Sequence, residues 1–272
     1  MDVNAFVRTV ALTLTRQEDI TNKDAQDALY RFALAIYWLL LRQLPEGQLE
    51  RLMAWQRLRP RVIALAEEAA AQLHEALTPR LIATEAALQE PTAQLYGVAP
   101  LPPRPIGVVL AETRVLGIGV SRLLTPSPAG APSPFATQLV RLLERTLLPQ
   151  IMRDSALDAI TASILTPRTT RGRTTLLPRK GTAANAFRER FRSITAASFW
   201  ALTTPTLLRY ATQTGVSITE WRWNAILDPK TCPVCRPLHN TTAPLPAAFP
   251  HGAPPLHPNC RCYALPVISA RS

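Results

Sequence analysis

The sequence predicts a mainly α protein: a multi-helix N-terminal body followed by a small α+β module at the C-terminus. Three observations carry that expectation. Ala/Leu-rich, glycine-poor stretches run long through the first 165 residues, and 47% of the chain is hydrophobic with few aromatics. One short segment, Val216-Ser-Ile-Thr-Glu-Trp-Arg-Trp-Asn224, largely alternates apolar and polar side chains, as a half-buried strand does. All four cysteines lie in the last 41 residues, downstream of that strand.

Residues 4–16 read as a short helix. The clearest helix runs from Asn22, a capping residue, to Gln43, with Ala25, Ala28, Leu29, Phe32, Ile36, Leu39 and Leu40 on one face. Pro45 ends it. Three further helices are expected at 46–58, at 61–77 and after Pro79 to about Gln89, each bounded by a proline, and such short connectors join antiparallel neighbours. The prolines at 91–105 mark a linker. Residues 107–124 fit helix or strand, and Gly117-Ile-Gly119 lacks the third glycine of a nucleotide fingerprint. Helices are expected at 135–147 and 151–165. Segment 166–182, with Pro, Thr, Gly and Arg and no apolar period, reads as loop. Residues 183–214 are helical with a break expected near Pro205, and Gly215 terminates them. Trp221 and Trp223 share one strand face and are expected to pack a small core. Tyr263-Ala-Leu-Pro-Val-Ile268 is expected to return as a second strand beside the first.

The longest apolar run, Phe32 to Leu41, has ten residues with charged flanks, against about 20 for a membrane helix. No membrane partner is therefore expected. The N-terminus, Met-Asp-Val-Asn-Ala-Phe, lacks the features of an export signal, so disulfides are not expected. Charge is uneven: residues 1–150 carry a net +1 and residues 151–272 a net +10. Within the basic part, Arg168, Arg171, Arg173, Arg179, Lys180, Arg188, Arg190 and Arg192 face one acid, Glu189. Such a segment neutralises phosphates without reading sequence, and it is the candidate contact for double-stranded DNA. A solvated loop is the plainer reading, and arginine exceeds lysine throughout the chain.

The chemistry concentrates in Cys232-Pro-Val-Cys235 and His257-Pro-Asn-Cys260-Arg-Cys262. Two short clusters of thiol and imidazole donors separated by a Pro-rich loop can close on one tetrahedral ion, and zinc is the expected metal. Cys232, Cys235, His257 and Cys260 are the expected ligands, since His-x-x-Cys chelates from a single turn. Cys262 is the alternate in a four-thiolate site. Asp228 is expected to hold the turn before the first pair. No His-Glu-x-x-His or similar catalytic setting is present, so no catalytic residue is assigned and the metal is expected to be structural. A segment this short and proline-rich buries little apolar surface, which makes a metal clip a physical reason for it to fold.

The run from Trp221 through Asp228, Cys232, Cys235 and Leu238, then Pro254-Pro-Leu-His257-Pro-Asn-Cys260-Arg-Cys262, resembles the C-terminal domain of the phage Mu F-like head morphogenesis (minor head) proteins. Gly215 and Trp223 fill further places of that pattern, and Asn240 stands where the family usually has glycine. The resemblance spans about 191–267. With it the chain divides into an N-terminal helical region 1–90, a linker 91–106, a central helical region 107–165, a basic loop and helix start 166–190, the family domain 191–267 and a tail 268–272. It implies a structural, low-copy virion protein inside the head near the portal vertex, made in the host cytoplasm. Implied partners are the portal protein, the major capsid or scaffolding protein, and packaged DNA. Two other readings stand beside it. One is a zinc-dependent nuclease with His239 or His251 as base, for which the paired His and Asn of a ββα-metal site are missing. The other is a zinc-ribbon DNA-binding regulator, which has no need of the long charge-balanced helical body.

Overall fold

The computed structural model describes residues 2–45, 47–115, 118–151, 167–170, 173–176, 183–216, 218–229, 231–257 and 259–268. Its elements in order are α1 (Val3–Gln43), α2 (Gln48–Tyr96), α3 (Ile106–Glu112), β1 (Arg114–Val115), β2 (Ile118–Gly119), α4 (Val120–Leu124), α5 (Pro134–Thr146), α6 (Leu148–Ile151), β3 (Pro167–Thr170), β4 (Arg173–Leu176), α7 (Ala183–Thr214), β5 (Ile218–Ala225), β6 (Thr242–Ala243), a 3₁₀ turn (Pro246–Ala248) and β7 (Cys262–Ile268). The mainly helical body with a small strand-bearing C-terminal part is as the sequence predicts.

Over residues 3–96 the described helices are fewer and longer than expected. The first two expected helices are one, α1, and Asn22 lies in its interior rather than at a cap. Asp2 caps it instead, accepting the Ala5 N–H at 2.9 Å, and that hydrogen bond holds its carboxyl below the ordinary value. The next three expected helices are also one, α2, which runs through Pro60, Pro79 and Pro91. A proline inside a helix removes one N–H and leaves the carbonyl four residues back without its partner. Here those carbonyls belong to Gln56, Glu75 and Ala87, all exposed, where water can satisfy them. The buried face keeps its phase across the first two prolines, from Leu58 to Val62 and from Leu77 to Leu81. Gly97, at φ 67°, then closes α2, with the Val98 N–H bonded to the Ala93 carbonyl at 3.0 Å.

Two compact units divide the chain: residues 1–22, 76–121 and 192–272 form one, and residues 23–75 and 122–191 the other. In the second unit Ser133 caps α5 through the Ala136 N–H at 3.1 Å, with Pro134 in the first turn. Its core includes edge-to-face pairs Phe135–Phe191 and Phe32–Phe187, each with centroids 5.1 Å apart. The expected loop at 166–182 contains an antiparallel hairpin, with Arg168 opposite Thr175 and Thr170 opposite Arg173. β-branched threonines favour strand even without an apolar period. The expected helix 151–165 lies outside the described residues beyond Ile151.

In the first unit α7 continues through Pro205, where a break was expected, and buries Phe199, Trp200, Leu202, Leu207 and Tyr210. Gly215, at φ 65°, ends it as expected. Trp200 stacks on Tyr263 at 6.1 Å, so the helix packs against β7, and Thr204 Oγ1 accepts the Ala264 N–H at 3.1 Å. The sheet order is β6-β5-β7, antiparallel throughout. The returning strand therefore pairs with the first, placing Ala225 opposite Cys262. Trp221 and Trp223 are both buried, and Trp223 meets Phe249 edge-on at 5.2 Å.

Candidate metal centre

The donor atoms are assembled by two excursions from the sheet. The first leaves β5 after Ala225 and returns at Asn240, and it is fastened at both ends. The Asn240 N–H bonds to the Trp223 carbonyl at 2.9 Å, and the Trp223 N–H bonds to the Thr241 carbonyl at 2.8 Å. Asn240 occupies φ 67°, the left-handed conformation that asparagine tolerates in place of glycine. Between those fastenings the Cys235 N–H bonds to Cys232 Sγ at 3.2 Å, and the Arg236 N–H to the Cys232 carbonyl at 3.1 Å. This local turn brings both sulfurs to one side. The second excursion ends in a turn closed by the Cys260 N–H on the His257 carbonyl at 3.1 Å, from which Cys262 begins β7.

All five candidate donors are brought together. Cys232, Cys235 and His257 form one group, and Cys235, Cys260 and Cys262 another, with the ligand atoms of each group within 4.8 Å of one another. His257 Nε2 lies 3.0 Å from Cys232 Sγ and 3.1 Å from Cys235 Sγ, and Cys235 Sγ lies 3.7 Å from Cys260 Sγ. The last value matches the ~3.8 Å edge of a tetrahedron with metal–sulfur bonds of about 2.3 Å. A cavity of about 10 Å³ lies among these residues, of the size of one small ion. Cys235 is the member common to both groups, so closing four donors on one ion requires one edge of the cluster to shorten. The four cysteines are free thiols, with no disulfide among them. Hydrogen bonds from the Cys235 and Cys262 thiols push Cys260 down to about 2, while the same contact with Cys260 pushes Cys235 up. Soft sulfurs with one imidazole, mostly buried, suit a metal ion bound for structure.

Asp228 ties the two excursions together. Its backbone carbonyl accepts the Thr231 N–H at 3.0 Å and Arg236 Nη2 at 3.2 Å, and its carboxylate pairs with Arg261, between Cys260 and Cys262. The Arg261 side chain is only 11% exposed. The turn before the first pair was expected of Asp228, but its link to Arg261 has no signal in spacing. His239 also has a defined place. Its Nδ1 accepts the N–H of Ala225, the last residue of β5, at 3.2 Å. Burial, with Arg222 adding to it, holds its imidazole below the ordinary value. An imidazole committed in this way is a strand clasp rather than a base, and His251 is exposed on a turn.

The family model described as phage Mu protein F like protein matches residues 156–265. That segment, 110 of the 272 residues, is similar to the family. Comparison with curated proteins and with solved structures found no match. The Mu F-like segment takes in the β3–β4 hairpin, all of α7 and the whole donor cluster, so it begins upstream of the resemblance read from the motifs. Of the basic residues, Arg168 and Arg173 lie in β3 and β4, while Arg171, Arg179 and Lys180 fall outside the described residues. Arg188, Arg190 and Arg192 lie on α7. They do not form one solvated face: Arg190 is half-buried and bonds Gln138, burial lowering its guanidinium from the ordinary value, and Arg188 stands 3.9 Å from Glu189. Arg192 is exposed.

The clasp generates a prediction with a fixed sign. A basic group with a depressed folded value contributes its full stability above its ordinary pKa of 6.5. That contribution falls as pH drops through 6.5 toward the lower folded value, because the unfolded chain takes the proton first. His239→Ala leaves the Ala225 N–H buried without a partner, so it should lower stability at pH 7.5 by about 1–3 kcal/mol. Metal content should stay at the wild-type level. Loss of metal in this variant would make His239 a ligand.

Proposed function

We propose that this protein is a structural component of a phage head, a minor head protein whose Mu F-like segment is stapled by one zinc ion. The family match at 156–265 carries the reading, and the converging Cys/His donors support it. Cys232, Cys235, His257 and Cys260 hold the ion, and Cys262 serves beside them as the first residue of β7. Zinc fits the donor set because it accepts thiolate and imidazole in a four-coordinate, closed site with no redox chemistry. The portal protein and the surrounding shell or scaffold are the partners, and the site of action is the interior of the head near the portal vertex. No described helix is long and apolar enough to cross a membrane. The commitment of His239 to β5 argues against the nuclease reading.

Quantitative mass spectrometry of purified proheads and mature particles tests the assignment: the chain should be present at a low, fixed number of copies per particle. Its absence from both would contradict the reading. The basic hairpin and its flanks contribute a separate, weaker element, non-specific contact with packaged DNA. Binding of the full chain to duplex DNA should weaken as salt rises. Alanine at Arg168, Arg171, Arg173, Arg179 and Lys180 should flatten the salt slope by ~0.9 per lost phosphate contact. An unchanged slope would remove this segment from the DNA contact.

A further inference from the structure

Away from the metal centre, the first unit holds an open cleft of about 650 Å³ between α3 with the β1–β2 hairpin and the second half of α7. Its volume falls in the range of ligand sites. Three arginines reach it, and they differ in what they have left to offer. Arg104, 6% exposed, is engaged at all three nitrogens: Nε bonds Glu85 at 2.6 Å, Nη1 bonds Glu112, and Nη2 bonds Thr206 Oγ1 at 3.3 Å. Arg209 stands 3.8 Å from the buried Glu85 carboxylate, an ion pair without a hydrogen bond from its Nη1, and 15% of its side chain is exposed. Arg114 is exposed, and its side chain makes no hydrogen bond or ion pair among the described residues. Three guanidiniums against two carboxylates leave the cleft at +1, with the uncommitted donors on Arg114 and Arg209.

The position of Arg114 is built in. It pairs across the hairpin with Gly119, and a Cβ on Gly119 would lie 2.6 Å from the Ala111 carbonyl oxygen. Only glycine lets the hairpin sit this close to the end of α3 and hold Arg114 at the cleft. Besides Glu112, Thr212, Gln213 and the arginines, the lining is apolar: Ala111 and Pro205 line the cleft, and Leu208 is 46% exposed in it.

We infer that this cleft binds an acidic peptide segment of a partner protein, a carboxylate seated between Arg114 and Arg209 with its apolar neighbour on Leu208. Arginine's planar fork matches a carboxylate, and the apolar floor gives the adjoining residue somewhere to bury. Glu112, half-exposed at 50% on the same wall, opposes a polyphosphate, which brings a charge at every nucleotide. A peptide can bring one carboxylate and avoid Glu112. The inference uses none of the metal ligands and does not depend on the head assignment.

Panning a random twelve-residue peptide library on the full-length protein tests it. The enriched peptides should share an Asp or Glu within two positions of a large apolar residue. A fluorescein-labelled consensus peptide should lose at least tenfold in affinity to Arg114→Glu and at least threefold to Leu208→Ala. Both positions are exposed, and unchanged thermal melts would show that the variants fold. No enrichment, a consensus without an acid, or equal affinity for Arg114→Glu would overturn the inference. So would duplex DNA that binds the protein and loses its affinity in Arg114→Glu while the peptide does not.

Discussion

Between Ile226 and Arg261 the chain leaves a narrow three-stranded sheet and returns to it with few apolar side chains to bury. Leu238, Ala243 and Phe249 are the main ones, while Leu227, Val234 and Leu245 stay exposed. Burial on that scale does not offset the entropy of ordering some 36 residues. What fixes the loop is the convergence of five soft donors on one small volume, with Cys235 belonging to both halves of the cluster. The hydrogen bonds around it then have a consistent purpose. The Asn240–Trp223 and His239–Ala225 bonds fasten the first ligand turn to β5, and the Asp228–Arg261 pair fastens the second ligand turn to the first.

From this centre the module extends into the helical body through two aromatic layers. Trp223 and Phe249 cover one side of the sheet's middle, while Tyr263 carries the stack to Trp200 of α7. In the proposed zinc-bound state, loss of the ion would therefore reach beyond the loop. Cys262 is continuous with Tyr263, and any slip in that strand moves the residue on which Trp200 rests. With zinc bound as proposed, the clip would hold the register of β7, and β7 supplies the surface that α7 packs against.

The donor cluster was legible in the sequence because its chemistry demands particular side chains at particular spacings, and nothing else in the chain offers them. The strand pair was legible because Trp221 and Trp223 alternate with polar residues. Helix boundaries were read less well. Pro60, Pro79, Pro91 and Pro205 signal breaks locally, yet the apolar stripe stays in phase across the first two, and exposed carbonyls lose little by lacking a partner. The hairpin at 167–176 was missed because threonine-rich strands carry no apolar alternation. The Arg104–Glu85–Arg209 cluster had no signal at all. Its members lie far apart in the chain, and in a protein so rich in arginine no single one stands out.

The most direct test is elemental analysis of the full-length protein, purified under reducing conditions, combined with X-ray absorption at the zinc edge. The account predicts one zinc per chain bound by three sulfurs and one nitrogen, and a large fall in thermal stability after chelation. Protein without stoichiometric metal, whose melting is unchanged by chelators, would contradict it.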